Sequence, residues 1–392
     1  MVQIGIVGKP NVGKTTFFNA TTHADAEIAN YPFTTINANR GVMYARVKCP
    51  CKEFGVKCNP RNSICMDGIR YVPIEAIDVA GLVPKAHLGR GLGNKFLDDL
   101  RRANALIHIV DVSGSTDEEG RQCGIGGHDP LMDVKFLEEE IDYWIEGIIA
   151  RDWHRIANKC RLEGGKIEKI LAEKLTGLGI NEEKIKYAIK KANLQEDFTK
   201  WNDEELLKLS TNIREIGKPI LLALNKADIA PLEMVKRLEG NNAIPTSAEA
   251  ELALVKAAEH GIIYYRPGDS NFKILKEPNE KQKKGLEYIK KHVLDVYGST
   301  GVQQCIDKAV FELLNLIAVF PVEDENKLTD KDGNVLPDVF LMPKGSTTIQ
   351  LAEKVHSDLA EGFIRAVDVR SKKIIGAEHI LKNGDIIHII AR

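Results

Sequence analysis

The sequence predicts an α/β protein whose central sheet is interrupted by helical insertions and followed by a small α+β module. An apolar run, Val2 to Val7, leads into the glycine-rich segment GKPNVGKT at 8–15 and then into a helix-forming stretch. Further apolar runs occupy 71–78, 106–112 and 219–224. Polar residues end or follow these runs, as is typical of buried parallel strands whose carboxyl ends form a binding site. From about Ile317 the chain changes to short strands around one helix.

The segment 8–15 fits the pattern G-x-x-x-x-G-K-[ST] of a phosphate-binding loop. Main-chain N–H groups of such a loop surround phosphates, and the positive end of the next helix adds attraction. We expect Lys14 to contact the β- and γ-phosphates and Thr15 to give its hydroxyl to Mg²⁺. The residues predicted to contact the nucleotide here are Gly8, Lys9, Pro10, Asn11, Val12, Gly13, Lys14, Thr15 and Thr16.

Two later segments fit the switches of a phosphate-loop protein. In the polar stretch 29–39, Thr35 is expected to complete the Mg²⁺ shell while the γ-phosphate is present. The motif DVAGL at 78–82 places Asp78 where it can hold Mg²⁺ through a water, and the Gly81 N–H near the γ-phosphate. Leu82 cannot orient a water molecule. Hydrolysis is therefore slow, or another group positions the water.

The motif NKAD at 225–228 follows an apolar strand and predicts recognition of the base. The Asp228 carboxylate can accept from both N1–H and the 2-amino group of guanine, whereas adenine offers neither arrangement. Unpaired buried polar groups make the wrong base costly, so the motif favours GTP over ATP. The residues assigned to the base are Asn225, Lys226 and Asp228, with a main-chain N–H from the segment Thr246, Ser247, Ala248.

Four of the seven cysteines, Cys49, Cys51, Cys58 and Cys65, cluster between two strands. Four thiolates can form a tetrahedral Zn²⁺ site. Their spacing, C-x-C-x₆-C-x₆-C, is not the usual pair of C-x₂-C knuckles, so free thiols in a hairpin are an open alternative. The odd total fits a reducing compartment better than a disulfide framework.

Helical periodicity through 134–156, with shorter amphipathic segments after it, predicts a helical arm inserted between two strands. We expect six parts: the nucleotide domain in 1–131 and 214–248, a helical insert in 132–213, a second helical segment in 249–296, a closing helix of the nucleotide domain in 297–316, and a β-grasp module in 317–392.

Composition is that of an ordinary globular protein, with 43% hydrophobic and 28% charged residues. No apolar run is long enough to cross a bilayer, so we expect a cytoplasmic protein without a membrane partner. The formal charge of −2 argues against attraction to nucleic acid over the whole surface, and no DNA specificity is expected. A local basic patch is predicted at Lys281, Lys283, Lys284, Lys290 and Lys291, although a solvated helix face explains it equally well. Weaker basic candidates are Lys344, Lys372, Lys373 and Lys382.

The segments GKPNVGKTT, NYPFTT, DVAGLV, HLGRGLGNKFL, NKAD and TSA together resemble the Obg family of GTPases, and most of all its YchF branch in archaeal form. The resemblance covers nearly the whole chain. It implies a monomeric cytoplasmic GTPase associated with the ribosome or ribosomal RNA, with a C-terminal TGS domain. It also implies a part in hydrolysis for His87 and K⁺ ligation by Asn11. Other YchF proteins have an altered base-recognition motif and prefer ATP, whereas this chain has Asp228, the residue that recognises guanine. An ATPase, and a nucleotide-gated scaffold with incidental hydrolysis, are the alternatives.

Overall fold

A computed structural model of the chain describes residues 1–22, 39–79, 93–240 and 242–392. Thr35, Gly81, Leu82 and His87 lie outside the described residues. The strands are β1 (Gln3–Val7), β2 (Arg40–Lys48), β3 (Ile64–Met66), β4 (Ile69–Asp78), β5 (Ala105–Asp111), β6 (Ile220–Asn225), β7 (Ala243–Pro245), β8 (Ile263–Tyr264), β9 (Lys273–Ile274), β10 (Leu316–Val322), β11 (Phe340–Pro343), β12 (Phe363–Asp368), β13 (Lys373–Ile375) and β14 (Ile386–Ala391).

The α-helices are α1 (Lys14–Thr22), α2 (Gly93–Arg102), α3 (Pro130–Ala150), α4 (Trp153–Leu162), α5 (Ile167–Lys174), α6 (Glu182–Ala192), α7 (Asp203–Gly217), α8 (Leu232–Leu238), α9 (Ala248–Glu259), α10 (Glu280–Ile289), α11 (Asp295–Tyr297), α12 (Val302–Lys308), α13 (Thr348–Val355) and α14 (Ser357–Glu361). Wider π-helical turns at Lys290–Leu294 and Ala309–Leu313 continue α10 and α12. Among the described residues, no helix is both long and apolar enough to cross a membrane.

The main sheet has the strand order β2-β4-β1-β5-β6-β7, with β3 beside β4. Five neighbouring strands, β4, β1, β5, β6 and β7, pair in parallel, whereas β2 and β3 run antiparallel to β4. Every residue of β5 is buried, as a central parallel strand requires. The register pairs Ile6 with Asp78 and Asp111 with Asn225, so the polar strand ends meet at one edge of the sheet. The predicted α/β class is confirmed.

Helices cover both faces of this sheet. One face packs against α2 and the helical arm, in a core that joins Val7 and Leu106 of the sheet to Leu137 and Ile141 of α3. The other face packs against α1, α9 and α12. The continuous periodicity through 134–156 belongs to two helices. The chain turns at Asp152, whose φ is 62°, and Trp153 then stacks on Trp201 with ring centroids 5.6 Å apart.

The C-terminal module has the strand order β11-β10-β14-β12-β13. Its central pair, β10 and β14, is parallel and the other pairs are antiparallel. The single helix expected from the sequence is divided into α13 and α14, because His356 between them is extended, with φ −163° and ψ 139°. The short strand β13 was not predicted.

Candidate nucleotide-binding site

The phosphate-loop segment 8–15 joins the end of β1 to the start of α1, and its glycines are required by close contacts. Gly8 has φ 150°, and a Cβ there would lie 2.5 Å from the carbonyl oxygen of Ile109. Gly13 has φ 96°, and a Cβ there would lie 2.3 Å from Nδ2 of Asn225. A side chain at position 8 would collide with the main chain of β5, and one at position 13 would displace the Asn225 side chain, so this loop conformation depends on both glycines.

Lys14, Thr15 and Asp78 lie at the same edge of the sheet. Lys14 begins α1, and its Nζ donates to the Lys9 carbonyl oxygen at 2.9 Å. Burial lowers the pKa of Lys14, and the charge of Asp78 at the end of β4 opposes that shift. Thr15 is exposed in the first turn of the helix. A hydroxyl, a carboxylate and a cation so placed fit Mg²⁺ bound to two phosphates.

The NKAD turn is tied to the phosphate loop by Asn225. Its Nδ2 donates to the Val12 carbonyl oxygen at 2.8 Å, and its Oδ1 accepts from the Ala248 N–H at 3.0 Å. The turn itself is fixed at Ala227, whose N–H donates to the Thr246 carbonyl at 3.1 Å and whose carbonyl accepts from the Tyr297 hydroxyl at 3.0 Å. Asn225 is therefore a bridge between three segments assigned to the nucleotide.

The segment after β7 begins α9, and its main-chain N–H groups already donate to acceptors within the protein. The Ser247 side chain caps the helix by accepting from the Ala250 N–H. The Ser247 N–H donates to the Thr300 carbonyl at 2.9 Å, and the Ala248 N–H donates to Asn225. A guanine O6 bound here would accept from the Ser247 or the Ala248 N–H. That N–H would then donate to two acceptors at once, the O6 and its present partner, the Thr300 carbonyl or Asn225 Oδ1.

Asp111, at the end of β5, is a site residue that the sequence reasoning missed. It is buried, and it accepts from the hydroxyls of Ser115 and Thr116 at 2.8 Å each and from Lys226 Nζ at 2.7 Å. Burial by itself raises the pKa of Asp111, but hydrogen bonds from Lys226 and from the nearby hydroxyls outweigh burial and place it below its ordinary value. The available signal was a carboxylate at the end of an apolar strand, followed by the hydroxyl-rich SGST.

The segment 112–128 packs against the phosphate loop and uses the side chain of Lys9. Lys9 Nζ donates to the Thr116 carbonyl at 2.8 Å and forms a buried ion pair with Asp133, also at 2.8 Å. The Asn11 Nδ2 donates to the Gly120 carbonyl at 2.9 Å. A Cβ on Gly120 would lie 2.6 Å from the Pro10 carbonyl oxygen. The Lys9 side chain therefore belongs to the scaffold, and only its main chain can meet a ligand.

The four clustered cysteines lie elsewhere, at the opposite end of β2 and β4, and their sulfurs converge. The structure thus brings the phosphate-loop residues, Asp78 and the NKAD turn together and keeps the cysteines apart from them. The roles given to Thr35, Gly81 and His87 fall outside the described residues and stay predictions.

Three family models match the chain. The model described as 50S ribosome-binding GTPase matches residues 3–134, and the TGS domain model matches 327–391. The model described as Obg-like GTPase YGR210-like, G4 motif-containing domain matches 223–324, a range that includes NKAD.

Proteins of similar sequence and structure span the whole chain. A GTP-binding protein of Methanocaldococcus jannaschii is 52% identical over 398 residues, covering 100% of this chain and 99% of that protein. The crystal structure of a GTP-binding protein from Pyrococcus horikoshii OT3 has 44% identity and a TM-score of 0.80, with 100% of both chains covered. A ribosome-binding ATPase, YchF, of Buchnera aphidicola is 27% identical over 415 residues, covering 99% of this chain and 98% of that protein.

Proposed function

Since the chain belongs to the YchF-like branch of the Obg family of GTP-binding proteins, we propose that it binds GTP with Mg²⁺ and hydrolyses it to GDP and phosphate. The observation that carries this proposal is the bridge made by Asn225. It holds the NKAD turn against the phosphate loop, with Val12 and Ala248 as its partners.

The Asp228 side chain supplies guanine selectivity in this proposal. It lies on the turn that Ala227 and Tyr297 fix, and it is partly exposed, so a base can reach it. Its carboxylate accepts the N1–H and 2-amino groups of guanine. Lys226, with φ 62° and its Nζ held by Asp111, lends its aliphatic stem to one face of the base.

Hydrolysis in this proposal rests on positioning and charge. Lys14 would contact the β- and γ-phosphates, Thr15 and Asp78 would hold Mg²⁺, and Thr35 and the Gly81 N–H would sense the γ-phosphate. Bound Mg²⁺ neutralises charge that develops on the phosphate oxygens. With Leu82 in place of a glutamine, His87 would help to position the water, and Asn11 would hold K⁺, which supplies positive charge for the transferring phosphate. For His87, replacement by alanine should lower kcat far more than nucleotide affinity, and an unchanged kcat would exclude this role.

We further propose that the two nucleotide states time association with the ribosome, in a cytoplasmic monomer. Support comes from the ribosome-binding name of a relative and from the TGS module. The same relative is named an ATPase, and Asp228 is the residue that argues for GTP in this chain.

Exchanging Asp228 for asparagine tests the base assignment. Asp228→Asn exchanges one of the two acceptors for a donor, so the hydrogen bond from the 2-amino group is lost and GTP affinity should fall about 10- to 100-fold, as the loss of a charge-assisted hydrogen bond of about 1.5–3 kcal/mol implies. Xanthosine triphosphate, which presents the complementary edge, should bind the variant more tightly than it binds the parent. Asp332→Asn, at an exposed carboxylate of the C-terminal module, is the matched control and should leave base preference unchanged. An Asp228→Asn variant with the parent's preference would overturn the assignment.

A further inference from the structure

The sulfurs of Cys49, Cys51, Cys58 and Cys65, here called the cysteine quartet, are spaced as ligands of one ion. All four Sγ atoms lie within 4.8 Å of one another, and the pairs Cys49–Cys58 and Cys51–Cys65 are 3.9 Å apart. Tetrahedral zinc with Zn–S bonds of about 2.3 Å separates its sulfurs by about 3.8 Å. A disulfide would bring two sulfurs to about 2.05 Å.

Main-chain hydrogen bonds hold the quartet in place. Cys49 and Cys51 flank the start of a short 3₁₀ turn, Pro50–Lys52, and both are buried. The Cys49 N–H donates to the Gly68 carbonyl at 2.9 Å, and the Val56 N–H donates to the Cys51 carbonyl at 3.0 Å. Cys65 lies on β3, opposite Arg70 of β4. Three different segments therefore deliver the ligands to one point.

Arg70 gives a second, independent indication of negative charge at this point. Its side chain is fully buried. Its Nη2 donates to Cys49 Sγ at 3.2 Å, its remaining hydrogen bonds go to the Ser63 hydroxyl and the Leu336 carbonyl, and its Cζ lies 5.4 Å from the centroid of the Phe320 ring. Within the described ranges it makes no ion pair with a carboxylate. A buried cation without a counter-charge costs several kcal/mol.

We propose that the cysteine quartet binds one Zn²⁺ as four thiolates. Four thiolates and one Zn²⁺ carry a net charge of −2, which compensates the buried Arg70, whereas four neutral thiols leave that charge unbalanced. With four protein ligands the coordination is closed, which makes the site structural. The nine residue steps of β4 from Ile69 to Asp78 cover about 30 Å, which is too far for contact with the nucleotide.

The loop between the ligands also contacts the C-terminal module. The Asn59 and Arg61 N–H groups donate to the Val335 and Pro337 carbonyls at 3.0 and 2.8 Å. The Arg61 guanidinium pairs with Asp338 at 2.7 Å. Asn62 exchanges two hydrogen bonds, each 3.0 Å, with the main chain of Val339. Zinc at the quartet therefore fixes the loop that clamps the module to the nucleotide domain.

Metal analysis of full-length protein purified without chelator tests the site directly. We expect about one zinc per chain, and after exchange of zinc for Co²⁺ we expect the visible absorption of tetrahedral thiolate-bound cobalt. Cys58→Ser should lose most of the zinc. Cys123→Ser, which removes an exposed cysteine outside the quartet, should retain it. A parent protein that contains no zinc and shows no cobalt spectrum, or that contains iron in its place, would overturn the proposal, whether or not the serine variant folds.

Limited proteolysis tests the clamp. Zinc removal by a chelator should increase cleavage in 323–339 several-fold, and added Zn²⁺ should restore protection. Nucleotide affinity of the same samples should change much less. Equal cleavage with and without zinc would show that the metal does not hold the module.

Discussion

At the residue scale, buried titratable groups beside the phosphate loop are held in one charge state by their surroundings. His108 of β5 is 2% exposed and pairs across the sheet with Val7, at the entrance to the loop. Burial, and then the positive charges of Lys14 and Lys9, lower the pKa of His108 from 6.5 to about 3. A neutral imidazole at this position adds no further positive charge beneath the phosphate loop.

This shift predicts a loss of stability in acid. The unfolded chain binds a proton at His108 near pH 6.5, whereas the folded chain does not until about pH 3, so stability falls as pH drops through that window. Between neutral pH and about pH 5 the loss should reach about 2 kcal/mol. The measurement is the thermal midpoint of the parent and of His108→Asn at both pH values. A midpoint difference between the two proteins that does not change with pH would contradict the shift.

At the element scale, the phosphate loop is braced by the segment 112–128, and this contact fixes the orientation of Asn11. The Asn11 Nδ2 donates to the Gly120 carbonyl, and this hydrogen bond fixes the orientation of the side-chain amide. The Oδ1 of the same amide takes no part in that hydrogen bond. An amide oxygen is a suitable ligand for a hard cation. K⁺ held there would stabilise charge on the transferring phosphate.

The proposed K⁺ site predicts a cation effect on turnover. Replacing Na⁺ with K⁺ at constant ionic strength should raise kcat for GTP hydrolysis about tenfold or more, as expected when one stabilising charge is added near the transition state. Asn11→Ala should remove the difference between the two cations. Asn326→Ala, an exposed amide of the C-terminal module, should keep it. Equal turnover of the parent in Na⁺ and K⁺ would exclude K⁺ from the mechanism.

Elements that a short stretch of sequence specifies could be predicted. Features that depend on partners far along the chain could not. Strands β1, β4, β5 and β6 follow from short apolar runs that end in polar residues. The helix break at Asp152 was missed because α3 and α4 pack into the same core, so the apolar periodicity continues across it. The break at His356 was missed because α14 buries no residue, so no change of buried face marks it. Asp111 was missed because its partner Lys226 lies 115 positions later in the chain and reaches it only after folding.

At the scale of the whole molecule, the proposed ribosomal partner requires a basic surface that can contact RNA. The lysines predicted as a basic patch, Lys281, Lys283, Lys284, Lys290 and Lys291, are all exposed, as are Lys344, Lys372, Lys373 and Lys382 of the C-terminal module. With a formal charge of −2 overall, any attraction to RNA must be local.

Replacing the five lysines of the 281–291 patch with alanine should weaken co-sedimentation with ribosomes and flatten its salt dependence. The matched control replaces five exposed lysines of the helical arm, Lys159, Lys166, Lys169, Lys186 and Lys190. Pelleting is compared in a non-hydrolysable GTP analogue, GDP and no nucleotide. Absence of the parent from the pellet in every state at low salt would exclude a ribosomal partner. Binding that ignores nucleotide, with hydrolysis that ribosomes do not stimulate, would favour a scaffold.

The most direct test of guanine-specific hydrolysis is a comparison of GTP and ATP with the unmodified full-length protein. Equilibrium affinities for both triphosphates and phosphate release from each are measured with Mg²⁺ and K⁺ present. Recognition of guanine by Asp228 predicts GTP binding about 100-fold tighter than ATP binding, with phosphate released from GTP at low nucleotide concentrations. Equal affinities, or preferred binding and hydrolysis of ATP, would contradict it.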